Sequence, residues 1–530
     1  MSAHLIDLVP ATLRRAWAAD GTCPDLDLYS LFRARRVAAP DRPAVVDPAG
    51  TLTYAELDLR VRAVAAGMRE LGVREGDVVG VQLPNGRDAV TAELALAALG
   101  AVALPFPVGR GPGEARSLLG RSGARAVVAA GHARDLLAVA ARLPTLRTVI
   151  AAGHEPPPGS ESWERLLSAS PAAFVPARPD PDAAARILVS SGSETEPKMI
   201  AYSHNALAGG RGNFLATLIP DGRPPRCLFL VPLGSAFGSN GTAVTVARHG
   251  GSLILLDRFT PQAALAAIRE HRPTHVLAVP TMIRMMLDQA GTAAPPPMTA
   301  LVLGGAELDA ATAAEARAVF GCPVVNLYGS ADGVNCHGGL GHLPGADGGP
   351  GVLVGPPDPR VAEIRIAAVP DEEFGEIIAR GPMTPMCYVG APELNRRYRT
   401  AEGWVRTGDL GTIDEAGRLR LVGRLKQVVI RGGANISLAE VERAVAAHPD
   451  VREAVCLGVP DTLMGERLAA CVVPRGGRSL TLGGLTDHLT VQGLDRTKHP
   501  EHLLLIERVP LTPAGKPDRD ALRELIARSR

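Results

Sequence analysis

At 530 residues the chain is longer than one ordinary hydrophobic core organises, so two or more domains are expected. Its 46% hydrophobic and 21% charged content is that of a folded globular protein. A net charge of +1 excludes a bulk electrostatic footprint for nucleic acid or an acidic membrane.

The amino-terminal MSAHLIDLVP has no basic start and meets Asp7 early, so no secretion signal is expected. The longest apolar stretch, residues 94–109, contains two prolines and ends at Arg110, which makes it too short and too broken to span a bilayer. Cysteines at 23, 227, 322, 336, 387, 456 and 471 never form a CxxC pair, which predicts unpaired thiols in a reduced, cytoplasmic protein. Short apolar runs follow one another through the middle of the chain: RILVSS, RCLFLVP, SLILLD, THVLAVP, TALVLGG and CPVVNLYG. Segments of helical spacing, such as PQAALAAIREHR and DAATAAEARAVF, lie between them. Buried strands alternating with amphipathic helices predict α/β layers with largely parallel sheets. From about Ala362 to Leu421 the runs VAEIRIAAV, GEIIARG and GRLRLVG are separated by turn residues and predict an antiparallel or barrel-like section. After Gly423, LAEVERAVAAHPDVREAVCLGVP reads as helix, turn and strand, AACVVPR as a strand and RDALRELIARS as a closing helix. The expected division is therefore a large domain over 1–424 and a small α+β domain over 425–530.

Six motifs carry the chemistry. SSGSETEPK (190–198) follows an apolar run, and small residues after a strand let backbone N–H groups approach phosphate oxygens. Ser190, Ser191, Gly192 and Ser193, with Lys198 beyond them, fit such a loop, although no GxxxxGK[ST] is present. VLGGAELD (302–309) and NLYGSADG (326–333) are strand ends, WVRTGDLG (404–411) sets Asp409 in a tight turn, GRLKQVVIRGGANIS (423–437) covers the domain junction, and PLTPAGKPDR (510–519) lies near the end. Each alone reads as a structural turn; the order and spacing of the set are what make it specific. Only four lysines, 198, 426, 498 and 516, stand among 56 basic residues. Lysine is a mobile point charge and arginine a rigid fork, so a chain that writes arginine elsewhere marks these positions. In NCHGGLGH, the neighbours Cys336, His337 and His342 are expected to be ordinary side chains of a glycine-rich loop rather than a metal site.

The set resembles the adenylate-forming superfamily: acyl-CoA synthetases, aryl-acid-activating enzymes, luciferases and peptide-synthetase adenylation domains. The likeness covers nearly the whole chain and includes LTYAEL (52–57) and GVPDTLMGE (458–466). It implies attack of a carboxylate on the α-phosphorus of ATP, giving acyl-AMP and pyrophosphate, then transfer to a thiol. It further implies that Lys516 contacts the carboxylate and the α-phosphate, that Asp409 accepts hydrogen bonds from the ribose hydroxyls, and that Arg424 joins that contact. Tyr328 would pack on adenine within the turn Gly329, Ser330 and Ala331, beside Gly304, Gly305, Ala306 and Glu307. Asp332 takes the place of the acid that helps hold Mg²⁺, and Lys198 closes the phosphate loop. Lys426 falls at the hinge of a mobile C-terminal domain, and Gly432 and Gly433 fall at the thiol channel. Ser235, Phe237 and Gly238 of PLGSAFG fall where the acyl pocket is gated. The implied partners are a small carboxylic acid, ATP and either free coenzyme A or the phosphopantetheine of a separate carrier protein, with the enzyme a monomer or homodimer.

Three departures matter. The family loop is approximately TSGTTGxPKG, whereas here Glu194, Thr195 and Met199 replace Thr, Gly and Gly. Two like charges about 4 Å apart repel by roughly 4 kcal/mol at an effective dielectric near 20. Glu194 is therefore expected either to turn outward or to join the Mg²⁺ shell. Ala331 resembles the aryl-acid-activating branch, as does the RGG of 431–433. Ser235 stands where an aromatic or histidine is usual, and no aspartate there would hold an α-ammonium group, which argues against an amino-acid substrate. A bulky aryl or alicyclic acid from specialised metabolism is the expected substrate. The acceptor is expected to be coenzyme A, with a carrier protein, an amine or nitrite as alternatives; a non-catalytic ATP sensor would lack Lys516 or Asp409.

Overall fold

A computed structural model describes residues 5–108, 110–153, 155–172, 174–190, 197–291, 295–306, 308–341, 352–368, 374–425, 428–431, 434–461, 464–476, 478, 480–492, 494, 496–512 and 516–529. It divides into two compact units, Met1–Pro344 with Val354–Ile364 and Ile378–Thr407, and Gly345–Leu353 with Arg365–Ile377 and Gly408–Arg530.

Among the described residues the first unit contains two eight-stranded sheets. In one, the strands Val324–Ser330, Ala300–Gly304, His275–Ala278, Arg226–Phe229, Ser252–Leu255 and Pro43–Asp47 lie side by side and parallel. Five of them are apolar runs read from the sequence; the sixth run, RILVSS, lies in the second sheet, and Pro43–Asp47 was not among the runs. The helices between them start and stop on local signals. Pro261–His271 has Thr260 as its N-cap, accepting from Ala263 N, and a proline at its start. Ala310–Phe320 is capped by Asp309 and released by Gly321 in the left-handed region. In the second sheet Ala184–Val189 and Met199–Ser203 form an antiparallel pair, with Val189 opposite Met199. The short strand Cys387–Tyr388 adds to its edge, with Cys387 opposite Ala201 and Tyr388 opposite Ile200. This edge places residues distant in sequence next to the phosphate-loop motif.

In the second unit, Val405–Ile413 contributes Asp409 to Ile413, paired antiparallel with Leu419–Arg424. Beyond them Val451–Asp461 and Gly465–Pro474 form a long antiparallel pair, extended by Val428–Arg431 and His502–Leu505. The pleat alternates faces. Cys456, Leu468, Ala470 and Val472 pack with Val441, Val445, Leu485 and Leu489 of two helices. Val455, Leu457, Ala469 and Cys471 pack with Leu522 and Ile526 of the closing helix Arg519–Ser529. Each face is thus a separate small core, which is the α+β arrangement expected. All seven cysteines are buried and free. Among the described residues no helix is long and apolar enough to cross a membrane.

Candidate active site

The phosphate-loop motif joins the two strands of a hairpin. Ser190 N–H donates to the carbonyl of Lys198 at 2.9 Å, closing the connection, and Arg121 Nη2 donates to Pro197 O at 2.9 Å. Ser191, Gly192, Ser193 and Glu194 lie outside the described residues, as do Glu307, Lys426, Gly432 and Gly433. The hydroxyl oxygen of Ser190 is buried and has no partner among the described residues. A buried orphan hydroxyl at the root of such a loop suits an anionic ligand that accepts from it.

Lys198 Nζ stands 3.5 Å from Asp332 Oδ1. The same carboxylate oxygen accepts from the Tyr388 hydroxyl at 2.6 Å, and Oδ2 accepts from Ser330 Oγ at 2.8 Å. The ammonium also lies 4.2 Å from the ring centroid of Tyr398 and 5.3 Å from that of Tyr388. Burial and the adjacent carboxylate push the Tyr388 phenol well above its ordinary value, so it stays a donor. Asp332 occupies the turn after Val324–Ser330, the strand that also carries Tyr328 and Gly329. The carbonyl of Ala331 accepts from Tyr202 at 2.9 Å, and Arg211 Nη2 donates to the Tyr202 hydroxyl at 3.4 Å. Gly304 closes the neighbouring parallel strand, opposite Leu327, and Gly305 follows it with φ +84° beside Ala306.

The loop at 232–238 is held from beneath by two buried arginines. Arg186 pairs with Glu93 at 2.5 Å and donates to Leu233 O at 2.6 Å, and Arg211 donates to Ala236 O at 3.1 Å. Breaking the Arg186–Glu93 pair by removing one partner would cost about 3–5 kcal/mol, because a buried charge is left alone. Ser235 Oγ donates to Pro232 O at 2.7 Å and accepts from Gly238 N–H at 2.9 Å. Its hydroxyl therefore shapes the loop from within. A Cβ on Gly238 would meet Pro232 O at 1.9 Å, so only glycine fits there. Phe237 between them is half-buried.

In the second unit Gly408, with φ +75°, turns the backbone so that Asp409 faces Arg424 across the strand pair. The two form an ion pair of 2.6 Å, with the Asp409 side chain 5% exposed and that of Arg424 49% exposed. Lys516 belongs to the same neighbourhood. Burial first, then the Arg424 guanidinium, lower its ammonium to about 8, against an opposing pull from Asp409. Thr512 N–H donates to Lys516 O at 2.7 Å, and Leu511 bridges Pro517, which fixes the backbone on either side of the lysine. The fourth lysine, Lys498, makes an exposed-rim salt bridge to Glu440 at 2.8 Å.

His337 has both ring nitrogens engaged, Nε2 with Thr217 Oγ1 and Nδ1 accepting from Gly339 N–H, each at 2.9 Å. Cys336 Sγ lies against Gly355 O, and His342 lies outside the described residues. Among the described residues no group of metal-ligating side chains occurs. Sequence reasoning missed Tyr202, Arg211, Tyr388 and Tyr398. A compositional signal for the aromatics existed: the chain has six tyrosines, and four of them, 202, 328, 388 and 398, lie on these segments.

The first unit carries the Lys198–Asp332 pair and the second a lysine beside an acid–arginine pair; comparisons with known proteins name the family. The family described as AMP-binding enzyme matches residues 32–389, and AMP-binding enzyme C-terminal domain matches residues 440–516. The chain belongs to this AMP-binding enzyme family, within the adenylate-forming superfamily. It is an adenylate-forming acid ligase. A 2-hydroxy-7-methoxy-5-methyl-1-naphthoate–CoA ligase of Streptomyces carzinostaticus is 32% identical over 521 residues, covering 93% of this chain and 92% of that protein. A salicyl-AMP ligase / salicyl-S-ArCP synthetase of Mycobacterium tuberculosis is 32% identical over 515 residues, covering 91% and 88%. The amide bond synthetase McbA from Marinactinospora thermotolerans has a solved structure that matches with a TM-score of 0.79 at 26% identity, over 94% of this chain and 99% of that one.

Proposed function

We propose that the protein activates an aryl acid with ATP and transfers the acyl group to the thiol of coenzyme A. The observation that carries this reading is the gathering of Lys516, Asp409 and Arg424. In the first step a carboxylate oxygen attacks the α-phosphorus, and the bond to the bridging oxygen breaks to release pyrophosphate. Two anions meet in that transition state, so catalysis consists of alignment and positive charge. Lys516 supplies the charge between carboxylate and α-phosphate, Asp409 holds the ribose hydroxyls, and Arg424 orients Asp409. Tyr328 packs on adenine, and Lys198 faces the terminal phosphates. In the second step a thiolate attacks the acyl carbon, and AMP leaves with the electrons of the anhydride C–O bond.

Asp332 fits a Mg²⁺ role. Three donors already engage its carboxylate, which offers about four lone-pair sites, and Mg²⁺ is commonly held by one or two carboxylates together with substrate phosphates. When bound, the ion would neutralise phosphate charge. Residues 425–530 are proposed as a mobile domain with Lys426 as its hinge, and Gly432 and Gly433 as part of the thiol channel. The choice of an aryl acid rests on Ala331, on the absence of an aspartate in the 232–238 loop, and on relatives named for naphthoate and salicylate.

Incubating enzyme, ATP and Mg²⁺ with a panel of acids, with and without coenzyme A, tests the reading. Acid-dependent pyrophosphate release and an acyl-CoA product are expected; pyrophosphate without thioester would reject coenzyme A. A carrier-protein thiol is then the next acceptor to try, given the relative named as a salicyl-S-ArCP synthetase, and an amine follows, given the amide bond synthetase. Lys426→Pro, which fixes φ at that position, is expected to spare adenylation and suppress thioester formation. Equal loss in both steps would remove Lys426 from the hinge.

A further inference from the structure

We propose that Tyr398 is a positioning residue for Lys198: its ring face holds the lysine ammonium in place while leaving its charge available to the phosphates of ATP. The inference rests on the function proposed above. Nζ lies 4.2 Å from the Tyr398 centroid, well within the about 6 Å range of a cation–π contact. Among the described residues, the acid paired with Lys198 is not a sufficient clamp. Asp332 is 3.5 Å from the ammonium, and its shorter contacts are those to Tyr388 and Ser330, at 2.6 and 2.8 Å. A closer carboxylate would also cancel the charge that a phosphate needs, whereas an aromatic quadrupole attracts a cation and leaves its net charge at one.

The ring is itself braced. Tyr398 ends the helix Pro392–Tyr398, and Asn395 of that helix exchanges two hydrogen bonds with the backbone of Tyr388. Tyr388 N–H donates to Asn395 Oδ1 at 2.8 Å, and Asn395 Nδ2 donates to Tyr388 O at 3.0 Å. Tyr388 in turn pairs with Ile200, two residues beyond Lys198. The two tyrosine rings lie 5.9 Å apart, so Lys198 meets a corner of aromatic surface anchored to its own strand. The division of labour is specific: Tyr388 acts on Asp332 through its hydroxyl, and Tyr398 acts on Lys198 through its ring. Arg397 also lies 5.2 Å from the Tyr398 centroid and is the competing cation.

The test compares Tyr398→Leu and Tyr398→Phe, alone and combined with Lys198→Ala, by ATP–pyrophosphate exchange, ATP-binding calorimetry and thermal melting. Tyr398→Leu is expected to weaken ATP about 10-fold, in KM and in Kd, with the KM for the acid unchanged. Tyr398→Phe keeps the ring and is expected to recover most of that loss. In the Lys198→Ala background Tyr398→Leu should have no further effect on ATP, because the contact it removes is already gone. Full additivity in the double variant, loss in Phe equal to that in Leu, or an equal rise in the KM for the acid would each overturn the proposal. Melting temperatures within about 3 °C of the parent are expected, and a larger fall in Tyr398→Leu, with Tyr398→Phe unchanged, would assign the ring to stability instead. If the parent shows no acid-dependent exchange, the proposed function falls, while calorimetry with ATP still decides the role of Tyr398.

Discussion

Lys198 stands against a carboxylate and two aromatic rings, whereas Lys516 lies half-buried near a guanidinium. Both are lysines in a chain that otherwise prefers arginine, yet their neighbourhoods pull in opposite directions. Around Lys198 the carboxylate of Asp332 and the rings of Tyr388 and Tyr398 attract a cation, with Arg397 competing for the Tyr398 ring. Around Lys516 desolvation and Arg424 resist the charge, and Asp409 favours it. A lysine that grips phosphates throughout binding needs a steady charge. One that must serve two anions in a transition state gains most where water is excluded, and exclusion of water is also what weakens its hold on the proton. Under the proposed function, the same side chain is tuned for two tasks by what surrounds it.

The largest effect should come from deleting the Lys516 amine. Lys516→Ala is expected to lower adenylate formation by about 10³-fold, as loss of a single transition-state charge does, and to spare thiolation of a supplied acyl-AMP. A variant that exchanges pyrophosphate at the parental rate would break the comparison, since Lys516 would then have no charge to deliver. Next in size is Asp409→Asn, which removes the partner of Arg424 and should raise the KM for ATP by about 10- to 100-fold. It also deletes a pull that favours the ammonium, so the alkaline fall in rate should move to lower pH. Arg424→Gln should move that fall the other way, because Arg424 depresses the lysine. Identical shifts from the two variants would sink the electrostatic account.

In the parent the rate of adenylation should decline as pH rises through about 8, where Lys516 loses its proton. Lys516→Arg should be slower by a factor of several but flat over that range, since a guanidinium keeps its charge. The stability of the fold has the opposite slope. Lys516 binds its proton less tightly folded than unfolded, with values of about 8 and 10.5, so its contribution to stability rises with pH between them and is least favourable below about 8. Thermal melts of the parent and of Lys516→Ala across that window would separate this slope from other groups. The smallest effect is expected from Glu194→Thr: a change in the KM for ATP of less than about 3-fold if the acid turns outward, and a larger rise if it serves the metal.

Much of the fold was legible because its signals are local. Apolar runs bounded by turn residues became the parallel strands, and Thr260 and Asp309 capped helices where the pattern began. Asp409 and Arg424 were linked through the family resemblance, and their facing positions in an antiparallel pair supply the physical reason. The aromatic corner around Lys198 was not legible, because its members are separated by about two hundred residues and meet only through the edge strand Cys387–Tyr388. Arg211 escaped for another cause. It was not singled out in LAGGR, yet it is 2% exposed and binds the carbonyl of Ala236. Ser235 was read by its position at an expected gate, and sequence had no means of revealing that its hydroxyl is spent on Pro232 and Gly238.

The seven interior thiols have a practical corollary. Burial raises Cys23, Cys227, Cys336 and Cys471 to about 12, so in the native molecule the reactive thiolate is scarce as well as sheltered. An alkylating dye added to intact enzyme would find almost nothing to label, and its uptake would track only those molecules that open. Cysteines in each unit would then time the opening of that unit separately, giving the molecule a built-in clock for its own unravelling.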